Sequence, residues 1–100
     1  MSVSVMAHAP KKIILSFDKS NNTLSAEIMH KVKDVSTHYL ATITIFVNDV
    51  EVKTATFEKQ LAKENHEVSY LLENIKVGDE IKLSAKCSKF GKKSAKVIVE

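Results

Sequence analysis

The chain has 100 residues, 44 % of them apolar and 27 % charged, which fits one small folded domain and excludes wholesale disorder. No apolar run nears the ~18 residues of a membrane helix. The net charge of +3 is built from lysine alone, and the single cysteine rules out an internal disulfide. Without arginine or tryptophan the chain lacks the bidentate fork and stacking surfaces of specific nucleic-acid readers, and one cysteine cannot make a cysteine-only zinc site.

The apolar periodicity is two, which predicts strands. Ile13, Leu15 and Phe17 alternate in the first, and Asp18 to Asn22 reads as a turn. Leu24, Ala26 and Ile28 share a face of the second. The same spacing reaches His30, so a strand running that far turns its imidazole to the core side. The loop Lys31 to Thr37 leads to His38. Tyr39 to Val47 is the longest strand, with Ala41, Ile43 and Ile45 on one face. Asn48-Asp49 reads as a tight hairpin turn, because both residues tolerate positive φ, and Val50 to Phe57 returns. Glu58 to Asn65 is a polar stretch read as a loop or one helical turn, and His66 beside it is given no role. Val68, Tyr70 and Leu72 form a short strand, and Lys76 to Asp79 turns the chain. Ile81, Leu83, Ala85 and Cys87 share the inner face of the next strand, and Ala95, Val97 and Val99 form the last.

Seven short alternating strands predict an all-β fold, an immunoglobulin-like antiparallel β-sandwich forming a single domain over residues 8–100. Two readings stand for Met1 to Ala7. It is a disordered tail, in keeping with the reducing cytoplasm that a free cysteine suits, or the stub of a truncated signal and a mark of export.

The soft and borderline metal donors are four histidines and Cys87. His8, His30, His38 and Cys87 all fall at predicted strand ends. A sandwich gathers strand ends into two rims, where such side chains can converge on a metal ion. Each also has a plainer reading. A lone cysteine closing an apolar alternation is a small core residue, and a histidine at a strand end caps the chain or faces solvent. Lys86, Lys89, Lys92, Lys93 and Lys96 surround Cys87 in sequence. They are a solvated face, or a field that draws a small anion toward it. There is no phosphate loop, GxSxG, HExxH or CxxC. A nucleophilic Cys87 would need a base and an oxyanion hole that no motif supplies.

In the order of these motifs the chain resembles the iron-binding domain of superoxide reductases, the desulfoferrodoxin family. His8-Ala9-Pro10 is similar to that family's His-x-Pro, and His30 to its strand-end histidine. His38-Tyr39-Leu40 is similar to the His-Tyr that opens its long strand, and Cys87-Ser88-Lys89-Phe90-Gly91 to its Cys-Asn-x-His-Gly. The likeness runs from His8 to Glu100. It implies an immunoglobulin-like sandwich and a mononuclear non-haem iron. The iron would be held by equatorial histidines, here His8, His30 and His38, and by an axial thiolate, here Cys87. It also implies reduction of superoxide by the ferrous form, with the thiolate tuning the metal.

Phe90 stands where the family has its fourth histidine, Met6-Ala7 where it has Glu-Lys, and Lys31 where it has proline. The loop from His30 to His38 is also longer. The implied ligand set is therefore incomplete, and it suits iron, zinc, copper or no metal. A looser resemblance is to the small sandwich subunit of the sulfur-oxidation carrier of the thiosulfate pathway. It rests on Val47-Asn48-Asp49-Val50 and Val77-Gly78-Asp79. It implies a non-catalytic module that pairs with a protein partner, and pairing with its own copy is a further expectation. Neither resemblance involves a nucleic acid or a membrane.

Overall fold

Each alternating strand has one apolar face, and a set of them buries those faces by stacking as two sheets. In the computed structural model, which describes residues 9–100, the strands are β1 (Lys12–Asp18), β2 (Thr23–Met29), β3 (Leu40–Val47), β4 (Val50–Thr56), β5 (Asn65–Leu71), β6 (Glu80–Cys87) and β7 (Lys92–Ile98). The stretch Met1 to Ala7 and the candidate ligand His8 lie outside the described residues. One sheet has the order β1-β2-β5 and the other β4-β3-β6-β7, with every pairing antiparallel. The chain crosses between sheets three times, after β2, β4 and β5, and makes hairpins elsewhere. The expected immunoglobulin-like β-sandwich is the fold. Among the described residues no helix is long and apolar enough to cross a membrane.

The core is the meeting of the three central strands. Leu24 and Ile28 of β2 face Ile43 and Ile45 of β3 and Ile81 and Leu83 of β6, all 0–1 % exposed. Fully burying each such side chain contributes about 1.5–3 kcal/mol. Across the sheets β1 lies against β7 and closes one side of the sandwich. On the other side Val52 of β4 and Leu71 of β5 line a shared open groove. The hairpin turn is the expected primed one, with Asn48 at φ 50° and Asp49 at φ 69°. Its asparagine also does a second job. Asn48 Oδ1 accepts from the Glu80 amide at 3.0 Å, and its Nδ2 donates to Asp79 Oδ1 at 3.1 Å. The Lys76 amide and this Asn48 contact hold the Asp79 carboxyl below the usual carboxylate range.

The structure corrects the sequence reading in two places. Ala41 was expected to share a face with Ile43 and Ile45. The register of β3 against β6 instead shifts between Leu40 and Thr42, so Leu40 is buried and Ala41 is not. A one-residue shift moves every preceding side chain to the opposite face. The polar stretch Glu58 to Asn65 is a loop, one of the two forms expected of it, but not along its whole length. Its last residue opens β5, which therefore begins ahead of Val68 and carries His66 inward, fully buried.

Candidate metal centre

Three strand ends deliver the donors. His30 continues the inward alternation of β2 past Met29, Cys87 ends the inward alternation of β6, and His38 stands two residues before Leu40. The bulge of β3 sets the direction of the last. Continued unbroken from Ile43, the strand would point Tyr39 inward and His38 out. With the phase reset, His38 shares the inner side with Leu40, which pairs with Cys87. The ligating atoms of His30, His38 and Cys87 all lie within 4.8 Å of one another, a group that can hold a metal ion. His38 Nε2 is 3.1 Å from Cys87 Sγ, and the rings of His30 and His38 meet edge to face at 4.8 Å. Around a tetrahedral ion with ordinary zinc bond lengths, nitrogen and sulfur donors stand about 3.6 Å apart. His38 and Cys87 already stand near that separation, and the group, all within 4.8 Å, must close in to share one ion.

Gln60 orients His30. It is 1 % exposed, and its Nε2 donates to two carbonyls, His30 O at 2.7 Å and Ala62 O at 2.8 Å. That use of Nε2 fixes the amide orientation, so the atom 2.8 Å from His30 Nδ1 is Oε1, an acceptor. His30 Nδ1 must then carry the proton, which leaves the lone pair of the neutral ring on Nε2. An imidazole whose second nitrogen is hydrogen-bonded in this way is oriented for metal binding. The backbone N–H of Gln60 donates to Val35 O at 3.0 Å, which ties down the loop joining His30 to His38. His30 N donates to Glu64 O at 3.1 Å and Val32 N to Lys63 O at 2.8 Å, extending the β2–β5 pairing beyond the strands.

The other side of the centre is a turn. Ser88 N donates to Tyr39 O at 2.8 Å, and Tyr39 N donates to Ser88 Oγ at 3.1 Å. Cys87 N donates to Gly91 O at 3.0 Å, and the Lys89 amide points at Cys87 Sγ from 3.4 Å. Cys87 is 2 % exposed and Phe90, at the tip, is 70 % exposed. Gly91 adopts φ 85°, and a Cβ there would stand 2.9 Å from the Ala9 Cβ and 3.1 Å from its backbone. Ala9 thus seats against the cysteine turn only because residue 91 has no side chain. Gly91→Ala is expected to destabilise the protein by about 1–3 kcal/mol through the positive φ alone. The collision with Ala9 adds to this. An unchanged denaturation midpoint would show that Ala9 yields freely and that the turn carries no strain.

Of the lysines expected around Cys87, all are exposed. Lys86 and Lys92 sit opposite each other nearest the cysteine, with Lys89 in the turn. Lys96 lies far along the hairpin and pairs with Glu80 at 3.7 Å. Of the four ligands the resemblance implies for this chain, the described residues bring together three, two imidazoles and one cysteine sulfur, and His8 lies outside them. Gln60 carried no signal in the sequence, being one polar residue in an aperiodic polar stretch. His66, also missed, is buried against Phe57 with rings 4.6 Å apart, and both its nitrogens lack hydrogen-bond partners. Burial without compensation pushes its pKa down from 6.5. It stands opposite Ile28, beside the His30 end of β2. No family pattern, curated protein or solved structure matches the chain.

Proposed function

We propose that this chain is a mononuclear metal-binding β-sandwich of superoxide-reductase-like plan, with His30, His38 and Cys87 as ligands and His8 as a fourth. One observation carries the reading: two imidazoles and a cysteine sulfur from three separate segments lie within 4.8 Å at one rim. The addition of His8 is supported by its neighbour Ala9, which is seated on the Cys87–Gly91 turn. Lys86, Lys89 and Lys92 give the rim a positive field, which suits a small anion such as superoxide. Phe90 provides no ligand, so superoxide reduction is expected to be weak. Purified protein loaded with zinc or cobalt should retain one ion per chain. His30→Ala and Cys87→Ala should lose it, and His8→Ala should bind more weakly. A wild-type chain that stays metal-free after loading would overturn the proposal, and rapid superoxide turnover by iron-loaded protein would overturn the expectation of weak activity.

The second reading, a protein-binding module or homo-oligomer, draws on the open side of the sandwich. Val50 and Val52 on the edge strand β4 and Leu71 on β5 are 64 %, 50 % and 64 % exposed. Unpaired edges with apolar side chains invite pairing. A strictly monomeric chain that captures no partner would exclude this reading.

A further inference from the structure

We infer that the metal this rim selects is copper, an inference that rests on the metal-binding reading above and narrows it to one element. Its donors are two imidazole nitrogens and one thiolate sulfur, with no carboxylate in the group. That set turns away magnesium, calcium and manganese, which take oxygen shells. It also falls short of iron. The two-histidine non-haem iron centre adds a carboxylate, and none belongs to this group among the described residues.

Zinc and copper remain. Zinc completes a tetrahedron, with four protein donors in structural sites and three plus a water in catalytic ones. Two histidines and one cysteine in a three-cornered set, with any fourth ligand weak, are instead the donors of thiolate-bound copper. Copper also stands above zinc in the general order of divalent affinities, but it is the donor set of two imidazoles and one sulfur that carries the choice.

The surroundings point the same way. Copper(II) consumes accessible thiols by joining two of them as a disulfide. Here the chain has one cysteine, and it is 2 % exposed, so two Cys87 sulfurs cannot meet. The thiolate therefore keeps its metal. Gln60 holds His30 with Nε2 as the ligating nitrogen, and the paired hydrogen bonds between Tyr39 and Ser88 hold the start of β3 against Cys87. A rim braced on both sides resists spreading to the larger shell that iron prefers. The Lys89 amide, 3.4 Å from Sγ, is the kind of hydrogen bond at sulfur that tunes a copper–thiolate bond. On binding, Cys87 gives up its thiol proton to solvent while His30 keeps the proton on Nδ1.

The test is titration of the purified full chain with copper(II) sulfate, without oxygen, watched in the visible region. An intense thiolate-to-copper charge-transfer band should grow, saturate at one copper per chain and survive an equimolar addition of zinc sulfate. Cys87→Ser should abolish the band. If that variant fails to fold, His38→Gln, altered at the partly exposed ligand, should abolish or shift it in a chain whose circular dichroism is native. Zinc or cobalt binding that depends on His30 and Cys87, with no copper band or with zinc displacing copper, would overturn the copper inference and leave the metal-binding reading standing. Failure to bind any of the three ions would overturn both. A band unchanged in Cys87→Ser or His38→Gln would place the copper elsewhere and also overturn it.

Discussion

Replacing Gln60 with alanine is expected to lower affinity for a bound metal by about 10–100-fold, the usual cost of losing a residue that orients a ligating histidine. It should also destabilise the metal-free fold by about 3 kcal/mol, since unpaired buried polar groups cost about 1–3 kcal/mol each. The groups left buried are the His30 Nδ1–H and the His30 carbonyl, while the Ala62 carbonyl lies on an exposed residue. The two effects can be separated. Gln60→Glu keeps an acceptor for Nδ1–H but has no donor for the carbonyls. It should hold metal affinity closer to wild type while losing stability. Competition titration with a zinc indicator and urea denaturation of the metal-free proteins measure the two quantities. A Gln60→Ala chain that binds zinc as tightly as wild type would show that the tautomer of His30 is set by something other than Gln60.

His66→Leu is expected to do the opposite and raise stability by about 1–2 kcal/mol, because it removes two unpartnered nitrogens from an apolar site without a large change in volume. For a domain of this size each kcal/mol is worth about 4–8 °C in Tm. The pH dependence should change with it. The folded-state pKa of His66 is depressed below 6.5, so below that pH the unfolded chain takes up a proton that the folded chain refuses. Its contribution to stability is therefore present above pH 6.5 and lost as the pH falls toward the folded-state pKa. Wild type should lose stability between neutral and mildly acidic pH, and His66→Leu should lose less. Phe57, whose ring meets that of His66, carries no charge to offset the proton. If the leucine variant is less stable than wild type at neutral pH, His66 has a partner that the orphaned nitrogens do not reveal.

Period-two alternation and the Asn48-Asp49 turn were enough to locate the strands, and alternation gave the inward direction of His30 and Cys87, because both continue a run of alternate apolar residues. The inward turn of His38 was not legible. It depends on a bulge at Ala41, and a bulge arises from register with β6 rather than from any residue pattern within β3. The start of β5 was hidden because its first inward residue is a histidine flanked by Asn65 and Glu67. Gln60 was hidden for a related reason. Its burial comes from the route of the β4–β5 crossover past the loop that joins His30 to His38, and only that tertiary passage gives its amide two carbonyls and a ring nitrogen to satisfy.

The division of ligands between layers has a mechanical consequence. His30 extends from the three-stranded sheet, while Cys87 ends a strand of the four-stranded one and His38 leads into another. An ion held among them rivets one sheet to the other, much as the inter-sheet disulfide does in antibody domains. With a single cysteine the chain has no such bond of its own. Prying the layers apart at this rim then requires metal–ligand bonds to break first, so loading the site should lengthen the lifetime of the folded sandwich under pulling force or protease attack.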